Sequence, residues 1–189
     1  TEARRVLFER AAPDPAPVAV AYCLDPGIGA DDPRRLDAVR SQIKTAAADL
    51  NVRDRFGVLL LDAAGTDLLD GWQTVTAHAG QINWSKLDDL KPAVSAGYAA
   101  GLARAMALEG VTHVVVIGSG SADFPEVEAG QVRRLMHGPA PRLIVLLVGD
   151  GTISPTAAAL RELAMGTSGA FGWLRPASSA QREPGRPDR

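Results

Sequence analysis

The chain has 189 residues, enough for one domain with a sizeable core. A net charge of −2, with basic doublets scattered at Arg4-Arg5, Arg34-Arg35 and Arg133-Arg134, excludes a general attraction for nucleic acid or anionic lipid. No apolar run approaches the roughly 20 residues of a membrane span, and the single cysteine, Cys23, excludes an internal disulfide.

Residues 1–17 read as an N-terminal extension and linker, because the alternate prolines of Pro13-Asp14-Pro15-Ala16-Pro17 favour extended backbone. Thr1-Glu2-Ala3-Arg4-Arg5 opens no apolar signal segment, and the missing initiator Met reads as excision from a longer polypeptide. A cytoplasmic location is the expectation. Residues 18–24 form an apolar run of the kind buried on both faces of a parallel sheet. Asp32 followed by Pro33 is a helix start, and Leu36, Val39, Ile43, Ala47 and Leu50 recur at helical spacing on one face. Residues 56–61 make a second buried strand. Residues 66–69 and 72–76, split by Asp70-Gly71, predict a hairpin or a bent edge strand.

A helical region is predicted over 85–109, interrupted near Pro92 and stopped by Gly110. Strand 113–117, helix 127–136, strand 143–148, a helix from Ser154-Pro155 through Ala164 and a short strand 170–174 follow. Residues 176–189 hold Pro, Ser, Gly and Arg without a large apolar residue, and a disordered tail is expected. The expectation is one three-layer, Rossmann-like α/β domain over 18–175. Its central, mostly parallel sheet is flanked by helices joined through right-handed crossovers.

Ligands of open parallel sheets sit beyond the carboxyl ends of the strands. Those ends carry Asp25-Pro26-Gly27-Ile28-Gly29, Asp62-Ala63, Gly118-Ser119-Gly120-Ser121 and Gly149-Asp150-Gly151. In 18–29, 55–61, 114–120, 143–149 and the closing Leu160–Gly169 segment, the order of elements resembles a von Willebrand factor type A domain from about Val18 to Leu174. The resemblance implies a magnesium or manganese ion at the top of the sheet, held by Asp-x-Ser-x-Ser, a threonine and a further aspartate. Hard cations prefer such oxygen ligands. Asp25 matches the first aspartate, but Gly27 and Gly29 stand where the two serines belong. Ser95 matches the threonine loosely, and Ser119 stands where the aspartate is expected. The expectation is a degenerate site with no cofactor; a residual cation would rest on Asp25 and Ser95, with Asp123 as a substitute ligand.

Other chemistries fit less well. Ala93-Val94-Ser95-Ala96-Gly97 looks like a nucleophile elbow but lacks the strand that must precede it. Ser119 and Ser121 follow a strand, yet His113 begins that same strand at the other end and His137 closes a helix. Gly118-Ser119-Gly120-Ser121-Ala122-Asp123 lacks the third glycine of a dinucleotide loop, and Phe124-Pro125 interrupts it. The expected function is a non-enzymatic protein-interaction or assembly module. Its partner would be another protein, bound through Asp25, Gly27, Gly29, Ser95, Ser119, Ser121, Asp123 and Asp150 in the crevice, or through Trp72 and Trp84. The alternatives are metal-dependent ligand binding and a small serine hydrolase using Ser95 or Ser119.

Overall fold

A computed structural model describes residues 17–74, 82–94, 98–121, 124–136 and 140–174. Residues 1–16 of the extension expected over 1–17 and the tail expected over 176–189 lie outside the described residues, as do Ser95, Asp123 and His137.

The strands are β1 (Ala19–Leu24), β2 (Arg55–Leu60), β3 (Gln73–Thr74), β4 (His113–Gly118), β5 (Arg142–Val148) and β6 (Ala170–Leu174). They form one sheet in the order β3-β2-β1-β4-β5-β6, parallel throughout except for β3. The helices are α1 (Pro33–Ala48), α2 (Ser85–Asp88), α3 (Ala99–Met106), α4 (Glu126–Leu135) and α5 (Pro155–Gly166). This is the three-layer, mostly parallel α/β architecture expected from the apolar runs.

Side chains alternate across each strand, so β1 feeds two separate cores. Val20, Tyr22 and Leu24 face α1, where Leu36, Val39 and Ile43 are buried. Ala21 and Cys23 face α3, α4 and α5, meeting Leu102, Ala105, Val132, Leu160 and Leu163. Full burial of one such Leu or Ile is worth about 1.5–3 kcal/mol, so the heptad-like stripe of α1 is enough to seat it. The two capped helix starts form as predicted. Asp32 accepts from the Arg34 amide at 3.1 Å and Ser154 from the Ala157 amide at 3.0 Å, each followed by proline.

The edge beyond β2 is a bent strand. Leu60 N donates to Thr66 O and Leu68 N to Val58 O, and β3 then pairs antiparallel with Arg55 and Phe56. The bend falls at Asp70 and Gly71, both at positive φ, while Asp67 accepts from the Leu69 and Gly71 amides.

The helical region expected over 85–109 with an interruption near Pro92 is two short helices, α2 and α3, and residues 89–94 between them are not helical. Pro92 disfavours helix at Lys91, and the Ala93 amide instead donates to Pro26 O at 3.2 Å, docking this segment on the loop after β1. β1 begins at one end of the sheet centre, whereas β6 finishes at the opposite end on its edge, where the Gly149 amide donates to Leu174 O at 3.1 Å.

Candidate functional site

The crossover through α1 carries the chain from β1 to β2, and β4 lies on the other side of β1. The carboxyl ends of β1 and β4 therefore flank the switch point at which an open sheet forms its crevice. Asp25 lies one residue beyond β1, and its amide still donates to Ile117 O at 2.9 Å. It continues the Ala21 and Cys23 side of the strand, which directs its carboxylate toward α3.

The Asp25 side chain is fully buried, with 0% exposure. Its Oδ1 accepts from the Gly27 amide at 2.7 Å. Its Oδ2 accepts from the Tyr98 hydroxyl at 2.9 Å, the Ser119 amide at 3.0 Å and the Ser119 hydroxyl at 2.8 Å. Ser121 Oγ lies 2.6 Å from Ser119 Oγ, and with Ser119 donating to Asp25 it is Ser121 that donates to Ser119. The Gly120 amide donates to the Tyr98 hydroxyl at 3.3 Å, and Ser154 Oγ donates to Gly120 O at 2.8 Å.

Local sequence explains this geometry. Pro26–Gly29 is a 3-10 turn capped by Asp25. Gly118 continues the Val114 and Val116 side of β4, and a Cβ there would collide with the Tyr98 hydroxyl, so glycine makes room for the phenol. Gly120 adopts φ +69°, which turns the loop so that its amide reaches Tyr98. A Cβ at Gly29 would lie 2.8 Å from Pro92 Cγ and 3.0 Å from Leu36 Cβ, so serine cannot stand there without moving its neighbours.

Burial raises the Tyr98 pKa well above that of an ordinary phenol, and the charge of Asp25 and its hydrogen bond raise it further. The tyrosine is therefore a proton donor to the carboxylate. For a cation, the fit is poor. Both oxygens of Asp25 already accept from the protein, Oδ1 from one donor and Oδ2 from three. Gly27 and Gly29 contribute no side-chain oxygen. Among the described residues, no three His, Cys, Asp or Glu side chains come together in a way that could hold a metal ion.

The remaining candidates are dispersed. Asp150 is exposed beyond β5, where its own loop holds its carboxyl below the usual range through the Thr152 amide and hydroxyl. His113 is at the opposite end of β4 from Ser119, with Nδ1 2.9 Å from Thr112 Oγ1, so it is no base for Ser119. Trp72 and Trp84 do not form one patch. Trp72 is half-buried over Gly57 with the Arg55 guanidinium 5.4 Å from its ring centroid. Trp84 stacks on Phe56 at 5.8 Å on the other face of β2, with Lys44 Nζ 5.7 Å from its ring.

Tyr98 is the site residue that sequence reasoning missed. Its signal was slight: a tyrosine between glycine and an alanine-rich helix, in a chain with only two tyrosines.

No family model matches the sequence, and no curated protein matches it. Solved structures do match. A von Willebrand factor type A protein from Catenulispora acidiphila superposes with a TM-score of 0.71 at 14% identity, covering 85% of this chain and 39% of that one. A human COPII-coat protein gives 0.57 at 13% identity over 90% and 31% of the two chains. Manganese-loaded Plasmodium vivax TRAP protein gives 0.56 at 18% identity over 79% and 63%. The chain thus spans well under half the length of the first two structures. Its fold is that of von Willebrand factor type A domains.

Proposed function

We propose that this chain is a non-enzymatic protein-interaction or assembly module that works without a bound cation. The observation that carries the reading is the burial of Asp25 beneath four internal hydrogen bonds. Among the described residues, the carboxylate at the switch point is that of Asp25, which is buried and bonded to internal donors on both oxygens, and this argues against its service as a metal ligand or general base. Ser119, its hydroxyl spent on the same carboxylate, has no histidine beside it among the described residues, which argues against hydrolysis. The fold supports the interaction reading, being shared with a coat protein.

The rim of the crevice offers contact surface. Val94 is 90% exposed on the segment docked over the loop after β1, and Ile153 is 59% exposed just ahead of the Ser154 cap. The partner is another protein that lies across these loops. No helix among the described residues is long and apolar enough to cross a membrane.

The test places a photo-crosslinking residue at Val94 or Ile153, and as controls at Val52 or Met165 at the opposite end of the sheet. One protein should be captured from the rim positions alone, with the same yield in chelator as in millimolar magnesium or manganese. Equal capture at all four positions, or loss of capture in chelator, would overturn the proposal. A metal-dependent module would also unfold at a higher temperature in manganese, since a ligand of the folded state stabilises it.

A further inference from the structure

We infer that the Tyr98 hydroxyl takes the structural place of a divalent cation, cross-linking the loop after β1, the start of α3 and the loop after β4. The inference rests on the metal-independent reading above and deepens it by naming what holds the crevice in its place.

A cation at a sheet crevice ties loops together because several of them lend it oxygen ligands at once. In this chain a single phenol oxygen does comparable bridging. It donates to Asp25 Oδ2 at 2.9 Å and accepts from the Gly120 amide at 3.3 Å, so the first and third loops meet on one atom carried by the second. The Ser119 amide and hydroxyl reach the same carboxylate oxygen, closing a small network around it.

The surroundings are built for the ring. Tyr98 is fully buried and meets Phe124 edge-on, with centroids 6.0 Å apart. Gly118 is the position at which any side chain would strike the hydroxyl. On the other side of Asp25, Pro92 fills the space that a serine at 29 would need. These features are mutually consistent: positions 27 and 29 bear no side-chain oxygen, Ser119 donates to Asp25 where a carboxylate was expected, and the phenol supplies the bridge. The crevice is thereby held in one arrangement whatever the divalent-ion concentration, and partner binding is not gated by metal.

The test is Tyr98→Phe, which keeps the ring and removes the bridge. In the wild-type protein, exchange of the Gly27, Ser119 and Gly120 amides should be the same in manganese and in chelator. In Tyr98→Phe, the Ser119 and Gly120 amides should exchange about ten- to a hundredfold faster, as expected for losing one hydrogen bond to a charged group. Ile43→Val, a loss of packing on the other face of the sheet, should leave these loop amides unchanged. Ser119→Ala, which retains the phenol, should leave Gly120 protected; this variant decides the matter if Tyr98→Phe does not fold.

The outcomes separate the two readings. Manganese protection of the wild-type loops would overturn both. Manganese-insensitive loops that stay protected in Tyr98→Phe would overturn the tyrosine bridge alone. A tenfold or greater loss of Gly120 protection in Ser119→Ala relative to wild type would also overturn it.

Discussion

At the scale of single residues, the crevice depends on positions where a side chain is missing as much as on those where one is present. Gly118 sits on a buried strand, where any Cβ would press on the Tyr98 hydroxyl. Gly118→Ala should therefore destabilise the fold by about 1–3 kcal/mol, the usual range for overpacking, as read from urea unfolding. An unchanged midpoint would mean that the phenol can move aside. The juxtaposition of Asp25 with Ser119 was legible before the structure, because the two residues end neighbouring apolar runs in a recognisable order of elements. The role of Tyr98 was not. It lies 73 residues from Asp25 in sequence, and no local pattern reports that α3 brings its first turn over the end of β1. The paired reading of Trp72 and Trp84 was misleading for a related reason. Two aromatic residues close in sequence suggest one patch, yet they pack on opposite faces of β2.

At the scale of elements, the strands and the starts of α1 and α5 could be read directly, since four- to eight-residue apolar runs and an Asp-Pro or Ser-Pro cap are local signals. The interruption near Pro92 was legible too, but its extent is set by tertiary contact: Ala93 bonds to Pro26 instead of continuing a helix. The start of α5 is also a tie between loops, because Ser154 both caps the Ala157 amide and donates to Gly120 O. Ser154→Ala should cost about 1–2 kcal/mol, the magnitude of a lost cap plus one hydrogen bond. Hydrogen exchange should show the first turn of α5 and the loop after β4 loosening together. Loosening of the helix turn alone would indicate that the Gly120 contact contributes nothing.

At the scale of the whole molecule, two cores share one sheet, and burial within them disfavours ionisation of Tyr22, Cys23 and Tyr98. Burial pushes the Cys23 thiol up to about 12 from an ordinary 9.0. Burial also raises the Tyr22 phenol, with a contribution from Asp49, and it raises Tyr98 as described. Above pH 9 the unfolded chain releases the thiol proton while the folded one keeps it. The stability tied to this group is thus fully present below that pH and lost as pH rises toward 12, at about 1.4 kcal/mol per unit. The tyrosines extend the loss from about pH 10 upward. Urea unfolding at pH 7 to 10 should show a plateau and then a decline, and Cys23→Ala should flatten the segment between pH 9 and 10. An equal slope in the variant would place the alkaline sensitivity elsewhere.

The directions in which the chain enters and leaves the sheet have a practical consequence. β1 starts at the end remote from Asp25, and β6 finishes at the end that carries it. A support or reporter attached ahead of Val18 would leave the Asp25 loops facing open solvent. The same attachment just after Leu174 would stand beside them and shield them. Binding assays on immobilised protein should therefore differ with the terminus chosen, and the orientation tethered ahead of Val18 is the one that presents the crevice.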